Sequence, residues 1–186
     1  MVHDPALDAH EHTEHAEHAA HDPFIARIAI TVAVLAVLAA GAGSLETVEG
    51  GRALGASSEA VLAQDKATDA WNEYQAESLK KHIYGIAADT PGPKSEEYRR
   101  TAHEEIAKQA KLRAVASDEE KKRDALLAES AMHEGRHHWL TGSATLFEIG
   151  IAMSTVAIIT RRRWLWLSAT GFGALGAVLL ALAYFA

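Results

Sequence analysis

Three long apolar runs are separated by polar segments along this chain. Residues 24–45, 141–160 and 164–185 are mostly apolar. A helix needs about 20 mostly apolar residues to cross roughly 30 Å of hydrocarbon, so the pattern predicts three transmembrane helices. Asp22-Pro23 precedes the first as a helix-start signal, since Asp accepts an N-cap bond and Pro fits the first turn. Arg27 lies near enough to that end to snorkel.

Residues 46–140 form a polar insert. Glu49-Gly50-Gly51 predicts a break or flexible joint. Beyond it, Ala56, Ala60, Ala63, Ala67, Ala70 and Tyr74 step by four and three, the narrow apolar seam of a coiled coil. Trp71, Leu79, Ile83 and Ile86 lie on a neighbouring stripe. The run at 89–93 holds two prolines and a glycine and must turn. From Lys94 the pattern is helical again, with acid-first i,i+4 pairs such as Glu96/Arg100 and Glu104/Lys108 that support exposed helices. Ser117-Asp118-Glu119-Glu120 reads either as a capping box or as the interior of one helix. The expected course is one helix into the second span, with Gly135 and Gly142 as bends. The predicted class is therefore an all-α integral membrane protein, with three spans and a coiled-coil-like antiparallel helical hairpin outside the bilayer. An alanine seam buries little area, so a hairpin this thin is expected to pack against its own copies or a protein partner.

Arg161, Arg162 and Arg163 join the last two spans. Short Arg-rich loops stay cytoplasmic, which places this tip and the N-terminus inside and the hairpin outside. Full inversion is the alternative. Trp164 and Trp166 beyond the tip, and Trp139 at the far end of the second span, suit the headgroup level.

Composition narrows the chemistry. The chain has 186 residues, no cysteine and a formal net charge of −7. Disulfides, thiolate metal sites and cysteine nucleophiles are excluded. The acidic balance argues against a nucleic-acid partner. The first 23 residues contain no Lys or Arg, so they lack the charge of a secretory signal. They carry His12, His15, His18 and His21 among carboxylates. Read blandly, this is a solvated tail; read chemically, it offers weak divalent-metal binding or pH sensing. No resident cofactor is expected.

Two features invite a site. His133-Glu134-Gly135-Arg136-His137 has the letters of H-E-x-x-H, the pattern of a zinc hydrolase. The glycine weakens the helix that would hold the ligands, and no third ligand is evident. Glu148 lies about two turns inside the second span, and an ionisable group there is a functional hypothesis by default. It either lines a proton or cation pathway or hydrogen-bonds between helices, with Ser143, Thr145, Ser154, Thr155 or another copy's Glu as partner. Ala169, Gly173, Ala177 and Ala181 form a small-residue row in the third span. Ala36, Ala40 and Ser44 form one in the first, and Gly150 and Ser154 one in the second. Such rows let helices approach closely, within or between subunits.

The run from His15 to Ile25 with the span after it, Gln75 to Tyr84, and the Thr160 to Trp166 junction resemble a bacterial membrane protein family known as a domain of unknown function. The resemblance implies a three-span inner-membrane protein and brings no activity or catalytic residue. The residues themselves favour a non-enzymatic, oligomeric envelope scaffold or accessory subunit. An oligomeric channel through Glu148 and the zinc hydrolase are the alternatives.

Overall fold

The computed structural model describes residues 22–185, so His12, His15, His18 and His21 lie outside the described residues. The described chain is all helix: α1 (Pro23–Asp89), α2 (Ser95–Thr160) and α3 (Arg163–Phe185). Asp22 Oδ1 caps α1 by accepting from the Phe24 amide at 2.9 Å. The Pro-Gly-Pro run separates α1 from α2, and Glu96 and Glu97 sit in the first turn of α2, where carboxylates complement the helix dipole. Each helix is long and apolar enough to cross a membrane by length and composition.

The break expected at Glu49-Gly50-Gly51 is absent, since the helix α1 continues through it. Gly50 packs against α2. A Cβ built there would stand 3.2 Å from His137 Nδ1. Likewise Ser117 lies inside α2, which also continues through Gly135 and Gly142. Between α2 and α3, Arg161 takes φ 51°. This left-handed cap is the usual place of glycine, and an L side chain there costs about 1 kcal/mol. The chain keeps a side chain where backbone geometry favours none.

The described helices fall into two compact units: 22–50 with 134–185, and Gly51–His133. In the first, the buried positions of α1 are Ile28, Leu35, Ala42 and Glu49, seven residues apart. Leu35, Ala42, Ala144 and Phe147 form the apolar core. Against it α3 presents Ala169, Gly173, Gly176 and Ala183. Glycine is required twice by close approach: a Cβ on Gly173 would stand 2.5 Å from Leu35 Cδ2, and one on Gly176 2.9 Å from Phe147 Cε1. Ser143 Oγ donates to the Gly176 carbonyl at 2.8 Å. Trp166 Nε1 donates to Thr31 Oγ1 at 3.1 Å, with its ring edge-on to Phe24.

Of the small-residue row of α3, Ala169 and Gly173 pack within the copy, and Ala177 and Ala181 are exposed. Residues four apart drift about 40° per step around a helix, so the row rotates off the face. Alternating steps of four and three do not drift in this way. The Ala36, Ala40 and Ser44 row of α1 also faces outward.

In the second unit, Ala56, Ala60, Ala63, Ala67, Ala70 and Ala88 of α1 are buried. Contacts with α2 retreat along it as they advance along α1. Ser130 Oγ donates to the Ala53 carbonyl, Arg123 to Gln64, Trp71 Nε1 to Glu120 at 2.9 Å, and Tyr84 meets Tyr98.

Candidate functional site

Glu148 sits on the outward face of α2, not in the core of its unit. Phe147 beside it is fully buried, because one residue is about 100° of helix. On the same outward face lie Thr141, Thr145, Ala152 and Thr155, all exposed. The spacing from Thr141 is four, three, four, three, so the five side chains form one row along α2. Thr145 and Thr155 donate to carbonyls one turn back, at 2.8 and 3.1 Å. Thr141 Oγ1 lies 2.6 Å from Glu46 Oε1. Of the expected partners of Glu148, Thr145 and Thr155 share its face, while Ser143 and Ser154 are buried on the other. Sequence reasoning named Glu148 but missed the row, although its spacing was there to be read.

The H-E-x-x-H letters do not assemble a metal centre here. His133 is buried, and its Nε2 lies 3.9 Å from Glu129 Oε1. His137 Nδ1 lies 3.1 Å from the Glu46 carbonyl oxygen, and His138 Nδ1 lies 2.7 Å from that of Glu134. Among the described residues, no group of three or more His, Asp or Glu side chains is placed to hold a metal ion.

A polar cluster that sequence reasoning did not identify sits in the alanine seam. Glu77 of α1 and Glu105 of α2 are both buried. Each is paired one turn along its own helix, Glu77 with Lys80 at 2.7 Å and Glu105 with Lys108 at 2.8 Å. When both carboxyls are ionised, their Oε2 atoms are buried without a hydrogen-bond partner. A hydrogen bond from Glu105 and the ion pair with Lys80 hold Glu77 below its ordinary value, against the opposing effect of burial. The same pairs raise Lys80 and Lys108. The signal was legible: Ala63, Ala70 and Glu77 are seven apart, so Glu77 occupies a seam position.

At the turn end of this unit, Ile86, Ala88, Ala102 and Ile106 line a cleft rimmed by Lys81 and Arg99. Arg136 lies over the Tyr184 ring at 5.9 Å in the other unit. The arginine tip and Trp164 are exposed, Trp139 is exposed on α2, and Trp166 is half-buried.

Residues 24–186 match the family model described as Domain of unknown function (DUF4337). The chain belongs to that family. The match takes in all three helices and both packed units, so the Glu148 row and the Glu77 cluster both lie inside the family domain. No curated protein and no solved structure matches the chain.

Proposed function

We propose that this chain is a non-enzymatic, self-assembling subunit of a bacterial inner membrane. In this reading the three apolar stretches cross the bilayer. The Gly51–His133 pair stands outside it as a hairpin that docks a partner or further copies. The arginine tip and the N-terminus face the cytoplasm. Exposed Arg161, Arg162 and Arg163 on a short loop support that orientation.

One observation carries the assembly: the outward row of Thr141, Thr145, Glu148, Ala152 and Thr155. Lipid tails cannot hydrogen-bond, and an ionisable side chain within a span costs on the order of 3 kcal/mol on insertion scales. Polar groups in spans therefore turn toward other protein, where they hydrogen-bond between helices. Here Glu148 turns away from the core of its own unit, so another copy supplies the cover.

The test uses donor-labelled and acceptor-labelled copies reconstituted together in liposomes. Energy transfer that survives dilution with excess lipid is expected. Transfer that falls to the random-encounter level on dilution contradicts self-assembly.

A second reading has a specific observation behind it. Because Glu148 faces outward, a proton or cation path using it would run between copies rather than through one copy. Cation flux in liposomes, lost in Glu148→Gln, is the expected result of that reading. Flux unchanged in the variant removes Glu148 from any path.

A further inference from the structure

The cleft at the turn end of the Gly51–His133 unit is charged at one level and apolar beyond it. Gly85, Ala88 and Ala102 are the small residues along it, and they leave about 420 Å³ of space, within the range of small-molecule sites. Ile86 and Ile106 line it too and stand 71% and 50% exposed. The fold does not need Gly85: a Cβ there would meet nothing within 4 Å, unlike one on Gly173 or Gly176. Glycine inside a helix is less favourable than alanine. What its missing side chain does here is keep the cleft open. Charge marks the other part. Lys80 pairs with Glu77, Lys108 with Glu105, Arg100 with Glu104, and Arg99 on the rim with Glu96. Lys81 and His103 also line the cleft, and among the described residues neither has an ion pair. Tyr84 meets Tyr98 across the hairpin. Lys81 lies three residues before the first and His103 five after the second, so the two stand within about 3 Å of one level.

We propose that this cleft binds a single-chain carboxylate, with its head at the level of Lys81 and His103 and its chain over Gly85 and along Ile86 toward Ala88. The inference is independent of self-assembly. One ammonium without a counter-ion matches one negative charge, which favours a carboxylate over a doubly charged phosphate. The Lys81 ammonium donates a charge-assisted hydrogen bond to the head, and an imidazole N–H of His103 can donate a second. The chain takes apolar surface of Ile86 out of water and fills the space that Gly85 leaves. From Lys81 to Ala88 is about 10 Å of helix, so a chain of medium length suffices. Asp89 closes the turn end of the cleft and opposes the reversed orientation, because its carboxylate would repel the head. His82 is not placed at the head, since its Nδ1 lies 2.6 Å from the Ser78 carbonyl oxygen of its own helix.

The test uses the full chain in phosphatidylcholine nanodiscs, with empty nanodiscs as the blank and octanoate as the probe. Saturation-transfer NMR reads contact between probe and protein. Signal above the blank is expected for octanoate and not for octylammonium, which has the same chain and the opposite charge. Octyl phosphate is expected to bind more weakly than octanoate. Lys81→Gln, at the rim, should weaken octanoate by about tenfold, the loss of one charge-assisted hydrogen bond. Gly85→Leu should abolish binding by filling the cleft, while thermal melting shows the hairpin still folded. Four results would overturn the proposal. They are octanoate signal no greater than the blank, equal signal from octylammonium, tighter binding of octyl phosphate, and octanoate binding unchanged in both variants. Loss of energy transfer between copies in Gly85→Leu would also overturn it, because the cleft would then hold another copy of the chain.

Discussion

Leu35, Phe147 and Leu140 fill the seam of one unit, while Ala63, Ala67 and Ala70 fill that of the other. The spacing is the same in both. Ile28, Leu35, Ala42 and Glu49 step by seven, as do Ala56, Ala63, Ala70 and Glu77. The filling differs, and so does what holds each unit. In the apolar unit, two large side chains are accommodated by glycines opposite them: Phe147 against Gly176, Leu35 against Gly173. In the alanine unit the buried apolar side chains are all alanines. Register is instead fixed by polar ties, Trp71 to Glu120, Arg123 to Gln64 and Ser130 to the Ala53 carbonyl. Apolar burial contributes roughly 25 cal/mol per Å², so an alanine seam yields far less than one built on phenylalanine and leucine. Polar residues in such seams specify pairing at a cost in stability. One spacing thus carries two kinds of seam, one filled by large apolar side chains and one by alanines.

Substitutions separate the two modes, the largest effect first. Phe147→Ala should destabilise the apolar unit by about 3–5 kcal/mol, the transfer and cavity loss of a buried ring, read by denaturant titration in detergent. Gly176→Val should cost about 1–3 kcal/mol, since its added atoms meet Phe147 and the Ser143 carbonyl. A neutral result there would mean that the third helix packs elsewhere. In the alanine unit, Trp71→Phe removes one donor from Glu120 and should cost about 1 kcal/mol, seen as a shift in the melting of that unit. An effect as large as that of Phe147→Ala would break the comparison.

The smallest effect is that of pH. Glu77 is held below its ordinary value by Glu105 and Lys80. A depressed carboxyl contributes stability above its unfolded value, 4.5, and loses it as pH falls through the folded value. Melting temperatures between pH 3 and 6 should therefore fall more steeply in the wild type than in Glu77→Gln. Parallel curves would remove this cluster from the stability of the unit.

Much of this arrangement was legible in the sequence. Three apolar runs of spanning length, the Pro-Gly-Pro turn and the three arginines gave three helices and their ends. The alanine seam gave its own spacing. Gly50-Gly51 misled because a glycine pair is a local signal for a break, whereas packing against His137 is a distant contact that no local pattern reveals. The row through Ala177 and Ala181 leaves the face packed within the copy because a strict four-residue step drifts around the helix, and Gly176 takes the inner position instead. Glu77 and Glu105 read as ordinary surface acids until their phase with the alanines is counted. Glu148 was visible as an ionisable residue in an apolar run. Which way it faced depended on Phe147 and Ser143 claiming the inner side.

The central claim is that the outward Glu148 row is covered by another copy of this chain. The mass of the intact complex in lipid nanodiscs tests it most directly. A defined multiple of the single chain is expected for the wild type, shifting toward the single chain in Glu148→Leu. A wild-type protein that remains a single chain in nanodiscs would contradict it.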